Sequence, residues 1–308
     1  MTKRSKRGRM RPNFRPSGRN EPKLVRAIVG LYERAACDLP PDVSSALERS
    51  LRSEKGRLAR ETLRAILKNA ELARRERKPL CQDTGTPFFF VRAEEGGSRE
   101  QIRQAILKAT EIATNEIPLR PNAVDPLSGK NSGNNLGTEY PPIFYEPDSL
   151  KGVEITLYLK GGGSENVGAT YRLPDAALRA ERDREGIRRA VIDAVVHAQG
   201  FGCPPYLIGV AVAGTKETAA LEAKRQLIRK LDDRSPRKEL AALEKRLLAE
   251  VNRLGIGPGG FGGKSTALSI KVGACHRHPA SYFVEVCFAC WALRRWKLRY
   301  REGVARYE

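Results

Sequence analysis

The chain has 308 residues, of which 40% are hydrophobic and 30% charged, and a formal net charge of +20. That is enough apolar material for one large core or two modest ones; no apolar run approaches the roughly 18 residues of a membrane span, and the first residues lack the apolar centre of a secretory signal. Six cysteines are too sparse for a disulfide scaffold, so the expectation is a cytoplasmic protein whose cysteines serve as thiols or metal ligands.

The excess of positive charge invites a nucleic-acid reading, because clustered lysine and arginine release counterions from phosphate backbones. Its distribution argues against one. The opening "MTKRSKRGRMRPNFRPSGRN" contains no acidic residue and is expected to be a basic disordered tail over 1–21 that binds polyanions loosely. Much of the remaining excess is arginine spread over helices such as "LRAERDREGIRRA", a solvated face. No zinc-finger, recognition-helix or aromatic RNA-binding pattern accompanies it, so nucleic acid is not the expected partner.

In chain order, helical patterns occupy 22–37, 43–53 and 57–76, with apolar residues recurring at three- and four-residue spacing. After this helical entry, "PLCQDTGTPFFFV" places Cys81, Gln82 and Asp83 on a loop before a buried strand near 87–92, and loops between rigid elements are where chemistry tends to sit. Ser98 is read as the N-cap of a helix reaching about Asn115. The segment 119–142 is rich in Pro, Gly and Asn; a structureless loop of that length is usually functional or disordered. Strands near 142–146 and 152–160 lead into "KGGGSEN", a helix covers about 174–200, and "PPYLIGVAVAG" is a buried strand with one more helix behind it. A helical hairpin at about 215–253, the loop "GIGPGGFGGKST" and strands at 266–274 and 281–289 complete the reading. The expected fold class is α/β (α+β): a helical N-terminal entry followed by mixed sheets flanked by helices, with 22–308 as one domain.

Three glycine-rich loops sit between these elements, and glycine lets backbone amides approach an anion closely. The third is not a Walker A loop, which needs four residues between its first Gly and the Gly-Lys pair. Here Gly257 and Gly263 enclose five residues, and a strand-like "TALSIKV" follows Lys264-Ser265. In "GACHRHPASYFVEVCFACW", Cys275, His276, His278, Cys287 and Cys290 include a spacing common in zinc sites. On a strand over 281–290, however, Cys287 and Cys290 would face opposite sides, and a core cysteine with satisfied histidines explains the pattern equally well.

The ordered motifs "CQDTG", "KGGGSEN", "GCPPYLIGV", "LGIGPGGFGGKSTAL", "HRHPAS" and "CWALRR" resemble those of the class I, iron–sulfur fumarases and L(+)-tartrate dehydratases, from about residue 24 onward. The chain is similar to the α subunit of the two-subunit form. The resemblance implies that Cys81, Cys203 and Cys290 hold a [4Fe–4S] cluster, while Cys37, Cys275 and Cys287 match no ligand position. It further implies Asp83 as the acid in proton transfer, and Gln82, Arg120, Gly163 and His278 as substrate-binding groups. The expected activity is that of a hydro-lyase interconverting fumarate and malate, or dehydrating tartrate to oxaloacetate. One iron without a protein ligand would act as Lewis acid. A separate β subunit, in a heterodimer or heterotetramer, would supply the base. The competing readings are a homologue that binds a cluster without turnover and a polyanion-binding protein on the same scaffold.

Overall fold

The computed structural model describes residues 22–93, 99–147 and 151–308; the basic opening segment and Ser98 lie outside the described residues. Three helices come first: α1 (Lys23–Cys37), α2 (Pro41–Ser53) and α3 (Arg57–Glu76). Their buried positions recur at helical spacing, with Ile28, Leu31, Tyr32 and Ala35 in α1, Val43 and Leu47 in α2, and Leu63 and Ile66 in α3, so each helix offers one apolar stripe.

β1 (Thr86–Ala93), α4 (Arg99–Glu116), β2 (Ile143–Pro147) and β3 (Val153–Lys160) follow, then the short α5 (Gly162–Asn166) and β4 (Ala169–Arg172). The second half contains α6 (Arg184–Ala198), β5 (Tyr206–Ala213), α7 (Lys216–Leu227), α8 (Lys238–Arg253), β6 (Ala267–Ala274), β7 (Phe283–Ala289), β8 (Arg294–Arg301) and β9 (Val304–Tyr307). The strands form two mixed sheets, ordered β2-β1-β3-β8-β9 and β4-β7-β5-β6. β1–β2 and β5–β6 are parallel and the other neighbouring pairs antiparallel.

Three cores hold these layers. Phe89, Val91, Ile155, Leu157 and Leu298 of the five-stranded sheet pack against Ile28, Leu31, Ile106 and Ala113 of α1 and α4. Ile208, Val210, Val272 and Val286 of the four-stranded sheet pack against α6 and α8. Between the two sheets, α2, α3 and α7 bring Leu47, Leu63 and Leu227 onto Tyr158, Leu207 and Cys287. All eight residues of β5 are buried, as its unbroken apolar run requires of a strand covered on both faces. Gly209 allows that cover, since a Cβ there would stand 2.3 Å from the Ala223 carbonyl of α7.

The structure corrects or extends the sequence reading in three places. The helix expected over 174–200 starts only at Arg184, where the Asp183 carboxylate accepts from Gly186 N at 2.7 Å and supplies the N-cap; Asp175 and Ala180 upstream pair backbone to backbone. The segment 119–142 is ordered by its asparagines. Asn135, 4% exposed, donates to Thr114 Oγ1 and Arg120 O and accepts from Asn122 N. Finally, β8 and β9 extend the strands beyond 289. Trp296, Leu298 and Tyr300 turn to the α1 core while Arg295, Lys297 and Arg299 take the other face, and Glu302 (φ 51°) with Gly303 (φ 80°) makes the two-residue turn that suits twisted hairpin strands.

Candidate functional site

Strand direction decides where the loops meet. Thr86 at the start of β1 pairs with Lys160 at the end of β3, and Leu159 beside it pairs with Arg294 at the start of β8. In the other sheet Leu207, near the start of β5, pairs with Ala289 at the end of β7. Residues 290–293 carry the chain from β7 to β8, so the two sheets share a junction. Cys81 precedes β1, Cys203 precedes β5 and Cys290 follows β7, and all three fall at that junction.

Hydrogen bonds fix the three segments to one another. Trp291 N donates to Cys203 O at 3.1 Å, and the Arg294 guanidinium donates to Asp83 O. The Asp83 carboxylate is held by two backbone amides, Gly85 N to Oδ1 at 3.0 Å and Gly162 N to Oδ2 at 2.8 Å. Cys203 adopts a left-handed backbone (φ 59°), a conformation that costs a residue with a Cβ about 1 kcal/mol. Its surroundings impose it: Cys203 N donates to Gly200 O, Gly259 N to Pro204 O, and Gly202 N to the Tyr206 hydroxyl, which donates on to Gln199 O. The loop "GIGPGGFGGKST" therefore buttresses Cys203 through Gly259, and Lys264 N is taken up by Glu54.

Cys81 and Cys203 are exposed and Cys290 half-buried. Burial raises the Cys203 thiol, and the charges of Cys290, Cys81 and Asp83 raise it further. Burial also raises Cys290, with Arg294 and Lys160 pulling it back and Cys81 opposing them. The three thiols thus lie near enough to influence one another's ionisation. Lys160, 1% exposed, pairs with Glu165 at 3.0 Å and donates to Ser164 Oγ; Arg294 is also 1% exposed. Sequence reasoning missed both cations, because only burial distinguishes them from the many solvated basic residues of this chain.

The other candidates divide. Gln82 is exposed beside Asp83. Arg120 lies alongside, its N–H donating to Thr84 Oγ1 at 3.1 Å while its side chain remains exposed. Gly163 is exposed in α5, where a Cβ would meet Phe201 O at 3.6 Å. His278 is elsewhere. It follows β6, next to Gly214 at the exit of β5, so the length of the sheet separates it from Cys203. At about 3.3 Å per strand residue that is on the order of 20 Å, and one chain does not bring His278 to Asp83. Its ring accepts from Ala280 N at 3.1 Å and is exposed, as are Cys275 and His276.

Among the described residues no group of three His, Cys, Asp or Glu side chains is arranged to hold a single metal ion; in 275–290, Cys275, His276 and His278 are exposed while Cys287 is buried. Cys37 and Cys287 are buried, and burial pushes each thiol up to about 12. β7 ends at Ala289, so Cys287 lies inside the strand and Cys290 on the corner beyond it; strand alternation is therefore not what separates them, and both border the core between the sheets.

Residues 25–299 match the family model described as fumarate hydratase (Fumerase). A protein of Geobacillus stearothermophilus named provisionally as a class I fumarate hydratase is 42% identical over 277 residues, covering 89% of this chain and 54% of that protein. One of Methanocaldococcus jannaschii, named provisionally as an L(+)-tartrate dehydratase subunit alpha, is 38% identical over 282 residues, covering 89% of this chain and 96% of its own length. The L(+)-tartrate dehydratase subunit alpha of Escherichia coli K12 is 33% identical over 279 residues, covering 89% of each. The chain thus spans about half of the first of these relatives and nearly all of the other two.

Proposed function

The chain belongs to the fumarate hydratase (Fumerase) family, and from that premise we propose that it is the α subunit of a hydro-lyase acting on a C4 dicarboxylate, either between fumarate and malate or from tartrate to oxaloacetate. Cys81, Cys203 and Cys290 would hold a [4Fe–4S] cluster. The observation that carries the reading is the meeting of these three thiols, from three separate segments, beside a carboxylate fixed by two amides. The donor set fits such a group: each thiolate of a cubane binds a different iron, so the three sulfurs need not converge on a single ion. When bound, the cluster supplies a Lewis-acidic iron without a protein ligand.

This chain's own residues do the rest. Asp83, with one oxygen held by Gly85 N and the other by Gly162 N, keeps a fixed orientation and exchanges a proton with the substrate carbon at a carboxylate oxygen. Gln82 offers an exposed amide to the substrate, Arg120 a guanidinium to a substrate carboxylate, and Gly163 its backbone. His278 enters this constellation only if a second chain presents its far end to the junction. The base belongs to a separate β subunit.

The test is anaerobic reconstitution of the chain with iron and sulfide. About four irons and four sulfides per chain, lost in air and regained with ferrous iron and a thiol, are expected; a chain that takes up neither refutes the reading.

A further inference from the structure

Two buried side-chain nitrogens lack a hydrogen-bond partner among the described residues, Arg189 Nε and Arg294 Nε. The first belongs to a side chain 37% exposed, which also pairs with Glu185 and donates to Leu178 O. The second belongs to a side chain 1% exposed, the largest fully buried one among the described residues. Arg294 donates to the neutral carbonyl of Asp83, and among the described residues no carboxylate stands at ion-pair distance from it.

Arg295, the next residue, shows what a buried guanidinium ordinarily has. It is 7% exposed, ion-paired with both oxygens of Asp42, and donates from Nε and Nη2 to Arg229 O. Lys160, the other buried cation at the junction, has Glu165. Among the described residues Arg294 is the buried cation without an anion, and such a charge is not maintained without compensation.

The candidate anions are at the junction. A Cβ on Gly161 would stand 3.2 Å from Arg294 Nη2 and 3.3 Å from Asp83 Oδ2, so the guanidinium and the Asp83 carboxylate both flank Gly161. On the other side its charge is felt by Cys290. Three thiolates bring three negative charges, and the group they hold cancels only part of them. Resting on the cluster reading above, we propose that Arg294 is the internal counter-cation of the thiolate-held group: its charge balances the net negative charge of the loaded site, and its hydrogen bond to Asp83 O holds the Asp83 carboxylate in register with that site.

The experiment compares full-length wild type, Arg294→Met and Arg294→Lys in cluster-free and reconstituted forms. Without the cluster, Arg294→Met should melt at or above the wild-type temperature, because the uncompensated buried cation is gone. With the cluster, iron release to a chelator should accelerate at least tenfold and the reduction potential should move to more negative values. Arg294→Lys, which keeps the charge, should release iron within about threefold of wild type. An Arg294→Met chain that is insoluble, or that melts lower by the same amount in both forms with unchanged iron release, makes Arg294 a structural brace and overturns the proposal. So does iron release from Arg294→Lys as fast as from Arg294→Met. Failure of the cluster reading itself is separable, since the unsubstituted chain would then take up no iron or sulfide.

Discussion

The two ends of the four-stranded sheet carry the same kinds of residue and differ in what surrounds them. At one end Cys203 and Cys290 meet Cys81, Asp83 and two buried cations, with the loop backbones cross-linked by Trp291, Gly162 and Arg294. At the other end Cys275, His276 and His278 follow one another along an exposed loop, tied by Arg277 to carbonyls of their own segment. Residues close in sequence stay spread along one exposed loop at the far end, while three widely separated segments are brought together at the junction. Chemistry collects where several strand ends converge and their backbone groups are already satisfied.

The largest expected effect comes from breaking the cysteines at each end. Cys81→Ser, Cys203→Ser or Cys290→Ser should abolish the visible absorbance of the reconstituted chain and its iron and sulfide. The same change at Cys275, Cys287 or Cys37 should leave them in place. Equal losses at both ends would erase the comparison.

Next in size is Asp83→Asn, which keeps the shape and the bonds from Gly85 and Gly162 but cannot ionise. In the cluster-loaded complex with a β subunit, kcat should fall by about 10²–10⁴ with KM moving much less. A rate within about threefold of wild type at full cluster content would reduce Asp83 to a loop brace.

Away from the junction, the inter-sheet core depends on the buried Asp42–Arg295 pair, whose side chains are 13% and 7% exposed. Asp42→Ala would leave a buried guanidinium with only the Arg229 carbonyl, at a cost of about 3–5 kcal/mol, measurable by denaturant unfolding of the cluster-free chain. It should leave the three thiols free to take up iron once folded.

The smallest effect is a pH dependence at the end of the five-stranded sheet opposite the junction. Burial raises the Glu154 carboxyl, but hydrogen bonds from Lys297, Arg299 and Arg92 outweigh it and leave it below its ordinary value. The unfolded chain therefore takes up this proton first on acidification. The contribution to stability is complete above about pH 4.5 and is lost as pH falls through the lowered folded value. Glu154→Gln should flatten that part of the acid stability curve. The change is modest because Arg92 and Arg299 are 43% and 56% exposed and stay hydrated.

What the sequence revealed follows from these contrasts. α1, α2 and α3 were legible because their buried faces repeat at helical spacing, and β5 because it is apolar throughout. β8 was obscured by its charge: cations occupy alternate positions and hide the inward row of Trp296, Leu298 and Tyr300. The proposed cysteine ligands came from the order of the family motifs, since residues 81, 203 and 290 are joined only by the fold. Arg294 was written in the motif "CWALRR", yet one arginine among so many gives no local sign of burial. The distance of His278 from the junction depends on the direction of β5 and β6, which periodicity does not reveal.

The most direct measurement is the rate of fumarate hydration and tartrate dehydration by the anaerobically reconstituted chain, alone and mixed with a β subunit of the two-subunit form. The proposed α-subunit function requires an iron-loaded chain that is nearly inactive alone and turns over one of the two substrates in the mixture. Full turnover by the chain alone, or none by the iron-loaded mixture on either substrate, would contradict it.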